Sequence, residues 1–219
     1  MSLLRLDSSV LGPYSSSRAL TDSVVATWSA DHQGATVVTR DLAANPVLAT
    51  SWIAAVSGGQ TPEDQRTPEQ VAGLALANEL FAELTSAETI VVATGLYNWG
   101  VNQLIKSYID QVIVGGQQAG AEGFLAGKDV AIVVTRGGYY GEDGPKAGWD
   151  HGIDYLARIF GEVWGANVTI VERDFTLVGV NPALDGFAEQ GAALKAAAEA
   201  RAAEVGKELA VSYAERVSA

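Results

Sequence analysis

Five short apolar runs, at residues 3–6, 36–38, 89–94, 129–135 and 168–171, are separated by stretches with helical periodicity. This alternation limits the possible folds more than any other feature of the chain. Short, continuously apolar strands are buried on both faces, and helices between successive strands require parallel pairing. The expected fold is α/β, a five-stranded parallel sheet with helices on both faces. No second core, repeat or linker interrupts the pattern, so residues 1–219 are read as one domain.

The helices have their own signals. Leu20, Val24 and Trp28 recur at a spacing of four and mark a helix running to Ala30, with serines before it as caps. Residues 51–56 suggest a short helix. Thr67, Pro68 and Gln70 form a capping box ahead of a helix that turns Val71, Leu74, Phe81 and Leu84 towards the core. Val101, Leu104, Ile105, Tyr108, Ile109 and Val112 give the strongest pattern, with Gly115 and Gly116 as its expected end. Residues 150–160 read as a helix carrying Ile153, Leu156, Ala157 and Phe160 on one face. The alanine-rich stretch 184–217 reads as one long helix, with Gly191 and Gly206 as places for a bend.

Composition removes several functions. A net charge of −12 repels phosphate backbones, so nucleic acid is not an expected partner. There are no cysteines, which excludes disulfides, thiolate metal sites and cysteine nucleophiles. His32 and His151 are the only histidines, too few for a histidine-rich metal site, and no metal is expected. No run of eighteen apolar residues exists to cross a membrane, and Asp7 breaks the short apolar start that begins at Met1. A cytoplasmic protein is expected. The dinucleotide fingerprint, the P-loop and the serine nucleophile elbow are absent.

Chemistry concentrates in three loops, each directly after a strand. The first carries Ser9, Ser15, Ser16 and Ser17. A helix start offers backbone N–H groups and a partial positive charge, and hydroxyls add donors, which suits a phosphate. The second is Leu96, Tyr97, Asn98 and Trp99, whose rings and amide suit a flat heteroaromatic group. The third is Thr135, Arg136, Gly137 and Gly138, where paired glycines let backbone approach a ligand. Each loop also has a plainer reading: helix cap, hydrophobic anchor, tight turn. In a sheet ordered 2-1-3-4-5 all three converge on the crevice between the first and third strands. Together they fit a flavin mononucleotide better than three unrelated accidents do. His32 is expected to be exposed, and Glu142, Asp143, Asp150 and Asp154 to be solvated charges.

Taken together, Asp7-Ser8-Ser9 with Tyr14-Ser15-Ser16-Ser17, Asp41-Leu42, Leu96-Tyr97-Asn98-Trp99 with Lys106-Ser107-Tyr108-Ile109-Asp110, and Thr135-Arg136-Gly137-Gly138 with Asp143-Gly144-Pro145 resemble the FMN-dependent NADH:azo/quinone oxidoreductases of flavodoxin-like fold. The resemblance covers nearly the whole chain. It implies FMN, with Ser9 and Ser15 to Ser17 on its phosphate and ribityl chain, and with Leu96 to Trp99 and Thr135 to Gly138 along its ring. It also implies NADH or NADPH as donor, homodimers with the site at the subunit interface, and a ping-pong cycle. Quinones, azo compounds and nitroaromatics are the acceptors such a flavin serves. No side chain is required as an obligatory acid or base, so no catalytic residue is assigned. The competing reading is a flavodoxin-type single-electron carrier, against which the length and the long last helix argue. Three departures stand out. Gly95 replaces the usual proline, which implies a looser loop. Residues 115–127 are short and lack the family's aromatics over the flavin. Glu162 occupies a substrate-wall position.

Overall fold

The computed structural model describes residues 2–32 and 34–218, with side chains through residue 214. Met1, part of the N-terminal reading above, and the side chains of residues 215–217 at the end of the long helix lie outside the described residues. Five strands, β1 (Ser2–Asp7), β2 (Thr36–Asp41), β3 (Thr89–Gly95), β4 (Asp129–Thr135) and β5 (Asn167–Arg173), form one parallel sheet in the order β2-β1-β3-β4-β5. The expected fold class and strand order are both present.

The sheet is covered by α1 (Ser16–Ala30), α2 (Ala49–Gly59), α3 (Pro68–Ser86), α4 (Gln103–Ala119), the short α5 (Ile153–Ala157) and α6 (Ala188–Ser218). Side chains alternate along each strand, and the alternation sorts them into two cores. Leu4, Leu6, Ile90, Val92, Val130 and Ile132 pack with Leu84 of α3 and Ile105 and Tyr108 of α4. Leu3, Val91, Ala131 and Val133 face the other way, onto Leu20, Val24 and Trp28 of α1 and Ala202 and Val205 of α6. Strand β4 is buried along its whole length, as its apolar composition requires. The edge strand β2 is mostly exposed, with Val38 at 40%.

Several expectations change. Val71 is exposed, because the buried face of α3 is set by Leu74, Ala77, Leu80 and Leu84 instead. The capping box of Thr67 and Gln70 is present. Helix α4 starts at Gln103, with Asn102 as its cap, and Val101 stands just before it. It does not end at Gly115 and Gly116 but continues to Ala119, where Gly120 caps it in the left-handed conformation (φ 60°). Gly115 is there for packing: a Cβ on it would strike the Ala77 carbonyl of α3 and lie 2.7 Å from the Phe81 Cβ. Gly206 plays the same part in α6, where a Cβ would lie 2.8 Å from the Thr27 Cβ of α1. The region 150–160 forms a regular helix only over Ile153–Ala157 and then widens into a π-helix, Arg158–Val163. His32 is half-buried, with Nδ1 3.0 Å from the Trp28 carbonyl and its ring between Trp28 and Tyr213.

Gly115→Ala is expected to lower stability, by up to about 2 kcal/mol. Overpacking costs of about 1–3 kcal/mol or more outweigh a helix-propensity gain of about 1 kcal/mol. Urea unfolding measures the difference, and a stabilised variant would mean that α3 and α4 do not approach this closely.

Candidate active site

The three loops meet because the strands that carry them are in register at their carboxyl ends. Asp7 pairs with Ala93, Gly95 with Thr135, and Thr135 with Arg173. Hydrogen bonds then join loop to loop. The Ser8 hydroxyl donates to the Ala93 carbonyl at 3.0 Å, and the Asn102 amide donates to the Ser8 carbonyl at 2.6 Å. The Leu96 N–H donates to the Thr135 carbonyl at 2.9 Å. The crevice therefore lies at the switch between β1 and β3, where an open α/β sheet places its ligand.

In the first loop Ser15 caps α1, its hydroxyl accepting from the Arg18 N–H at 3.2 Å. Ser9, Ser15 and Ser17 are buried, and the Ser15 and Ser17 hydroxyls lie 3.0 Å apart. Ser16 is half-buried. Capping and ligand binding are compatible, since each hydroxyl carries a donor and two acceptor lone pairs. Arg18 lines a cavity with Ser15, but its charge is already engaged. Its guanidinium forks onto Asp41 at 2.7 and 2.8 Å, reaches Asp7 at 3.4 Å, and donates to the Ser9 carbonyl at 3.1 Å. It ties the serine loop to β1 and β2, a role the sequence did not reveal.

That fork sets the local titration. The hydrogen bond from Arg18, opposed by desolvation and aided by the Ala44 and Ala43 N–H groups, holds the Asp41 carboxyl down to about 2. Burial pushes the Asp7 carboxyl up, against the pull of Arg5 and Arg18.

The second loop is a tight turn. Tyr97 and Gly100 form an isolated antiparallel bridge, and the Gly100 N–H donates to the Tyr97 carbonyl at 3.1 Å. Asn98 and Trp99 between them have φ of 50° and 63°. This is the left-handed pair of a type I′ turn, a place for Asn-Gly. Asn98 suits it; Trp99 is strained there, at a cost of about 1–3 kcal/mol. Strain of this size is maintained by the surroundings: the His151 N–H donates to the Trp99 carbonyl at 3.0 Å, and the Trp149 ring meets the Trp99 ring edge-on. Gly95 is a packing position. The Tyr97 ring folds over it, 3.0 Å from where a Cβ would stand, and the Tyr97 hydroxyl comes within 3.4 Å of the Ser9 hydroxyl. A cleft of about 570 Å³ opens here, lined by Val10, Tyr97, Asn98 and residues 100–104.

In the third loop Thr135 is buried and Gly137 and Gly138 are half-buried; Leu177 and Lys146 lie 2.7 and 3.0 Å from where a Cβ on each would stand, and their carbonyls accept from the Leu177 and Phe175 N–H groups at 3.2 and 3.0 Å. Arg136 offers no free charge to a ligand. It is buried and pairs with Asp174, Glu172 and Asp150, the last at 3.0 Å. Burial works against its charge, but Asp174 and Glu172 outweigh that and keep its pKa above the ordinary value. Asp150 is thus not the solvated charge expected: one oxygen takes Arg136 and the other takes the Gly152 and Ile153 N–H groups. Asp143 is exposed, but it accepts from the Tyr139 hydroxyl at 2.6 Å. Glu162 is exposed and pairs with Arg158 at 3.4 Å. Phe124, in the shortened 115–127 stretch, turns inward onto Phe81 and Trp164.

The fold and these loops define a doubly wound α/β protein with three loops at the carboxyl ends of its strands around the switch point. A family model described as flavodoxin-like fold matches residues 1–205. An FMN-dependent NADH:quinone oxidoreductase from a Parafrankia species is 39% identical over 200 residues, 90% of this chain and 94% of that protein. One from Xanthomonas campestris is 36% identical over 90% of this chain and 98% of its own length. The chain belongs to this flavodoxin-like family of FMN-dependent NADH:quinone oxidoreductases. Among solved structures, an azoreductase from Bacillus anthracis matches with a TM-score of 0.78 at 21% identity, covering 95% of this chain and 99% of that one. An FMN-dependent NADH-azoreductase from the same species, in complex with FMN, matches at 0.76 and 18% identity over 95% and 99%. At these identities the two structures speak for the fold.

Because the folded-state pKa of Asp41 is depressed, its contribution to stability is complete above the unfolded value of about 4 and is lost as pH falls towards about 2. Asp41→Asn is expected to be less stable than the native chain at neutral pH, with the gap closing between about pH 4 and pH 2. Urea unfolding across that range measures it. A gap independent of pH would mean that the Arg18 fork contributes nothing through charge.

Proposed function

We propose that residues 1–219 form a single flavin-binding domain of a cytoplasmic, homodimeric FMN-dependent NAD(P)H oxidoreductase. It reduces quinones and azo compounds, and nitroaromatics as a further class, by two-electron ping-pong transfer. The observation that supports this reading is that three loops of complementary chemistry follow neighbouring strands at their carboxyl ends and are joined by hydrogen bonds. Buried serine hydroxyls stand at the start of a 15-residue helix, a strained aromatic turn follows β3, and a half-buried glycine pair follows the neighbouring β4. No described helix is long and apolar enough to cross a membrane.

The donor set fits a flavin phosphate. Ser9, Ser15, Ser16 and Ser17 with the α1 N-terminus would hold it by neutral donors and the helix dipole. Arg18 is already neutralised by Asp41 and Asp7, so it contributes loop geometry rather than charge. Leu96, Tyr97, Asn98 and Trp99 would fix the plane of the ring, and the backbone of Thr135, Arg136, Gly137 and Gly138 would meet its other edge. When bound, FMN supplies hydride acceptance from NADH or NADPH and delivery to the acceptor. Backbone N–H groups of these two loops would polarise the ring carbonyl edge, an oxyanion-type stabilisation that needs no reorganisation. No side chain is assigned as acid or base. Tyr139 is held by Asp143 and stacked 5.4 Å from Phe175, which suits packing rather than proton delivery.

The purified protein is expected to be yellow and to bleach rapidly when NADH is added without oxygen. Protein that holds flavin but takes no electrons from NADH would favour the single-electron carrier. Ser16→Asp with Ser17→Asp should abolish FMN retention, since it sets negative charge against phosphate in a buried loop. Flavin retained in that variant would refute the phosphate assignment while leaving the NADH result to judge the activity.

A further inference from the structure

Trp99 and Trp149 come from different loops, and both are half-exposed, at 47% and 51%. Their rings stand 6.1 Å apart at 71°. A core pair would be buried, and a pair of accidental surface residues would not be fastened as these are. Trp99 rides on the strained turn. Trp149 comes after Gly148, itself left-handed at φ 73°, and the Trp149 N–H donates to the Lys146 carbonyl at 3.1 Å. The next two residues anchor the segment: Asp150 to Arg136 at 3.0 Å, and the His151 N–H to the Trp99 carbonyl at 3.0 Å. The ion pair that steadies the third loop thus also sets where Trp149 meets Trp99.

We propose that Trp149 is a specificity-determining residue. With Trp99, whose chain neighbours Asn98 and Gly100 line the cleft, it forms an aromatic corner at the cleft's rim that favours fused-ring quinones over single-ring ones, and Asp150 is the positioning residue that holds it. The inference rests on the assignment of Leu96, Tyr97, Asn98 and Trp99 to the flavin wall. Both indoles keep exposed surface, and a flat bicyclic ring gains contact with both where a single ring reaches one. Hydride delivery is unchanged, so the effect lies in binding the acceptor. In a ping-pong cycle that appears in kcat/KM for the acceptor and not in kcat/KM for NADH.

The test uses flavin-loaded protein, with naphthoquinone and benzoquinone as acceptors. Trp149→Ala is expected to lower the naphthoquinone-to-benzoquinone ratio of kcat/KM by about two- to tenfold, the range of one aromatic pair. Flavin content and the NADH half-reaction should stay within about twofold of native. A second readout is independent of turnover: two indoles this close give an exciton couplet in far-ultraviolet circular dichroism, which Trp149→Ala should abolish. Asp150→Asn keeps an oxygen for the Gly152 and Ile153 N–H groups but removes the charge facing Arg136. It should weaken both the couplet and the ratio. Trp149→Phe should recover part of the ratio without the couplet. A ratio unchanged in Trp149→Ala, an equal fall for both quinones, or a native protein without the couplet would overturn the proposal. A native protein that holds no flavin, or reduces neither quinone, would instead overturn the functional reading on which it rests.

Discussion

The buried guanidinium of Arg136 is the fixed point of this site. A cation in the interior is tolerated only when its desolvation is offset by well-placed anions. Asp174, Glu172 and Asp150 supply them, from the end of β5 and from the segment before α5. The same carboxylates serve backbone: Asp174 accepts from the Tyr140 N–H at 2.8 Å, and Asp150 caps the start of α5. One side chain thereby fixes the turn after β4, the end of β5 and the loop that reaches Trp99.

A second fork does the equivalent work on the opposite side. Arg18 binds Asp41 and Asp7 and holds the Ser9 carbonyl, so a protein of net charge −12 can present buried hydroxyls to an anion without a free cation. Binding by a helix end and neutral donors selects shape as much as charge. Between the two forks sits the Asn98-Trp99 turn, whose left-handed tryptophan is the most strained feature of the site. Strain that persists where loops converge is what a preorganised wall requires.

Much of this is legible in the chain. Apolar runs and crossovers indicate a parallel sheet, the resemblance to a flavodoxin-like family implies its order, and the serine, aromatic and glycine loops stand out directly after their strands. Other features are hidden, and each for a reason. Gly115 reads as a helix end because glycine usually is one; its cause lies in α3, 38 residues earlier, where the Ala77 carbonyl leaves no room for a Cβ. Val71 fits the apolar face of α3 by spacing, yet it falls at the helix start, beyond the reach of the core. Asp150 reads as a surface charge because loop carboxylates usually are; its pairing with Arg136 depends on two loops meeting.

The sequence by itself determined the α/β class, the parallel sheet and the three loops proposed to hold a ligand. These depend on periodicity and turn residues, which act over a few neighbours. Only the tertiary structure decided that Arg18 and Arg136 are spent on loop geometry, that Gly95 receives the Tyr97 ring, and that Trp149 stands against Trp99. Those contacts join residues far apart in the chain. They form only once the strands are in register and the helices have packed.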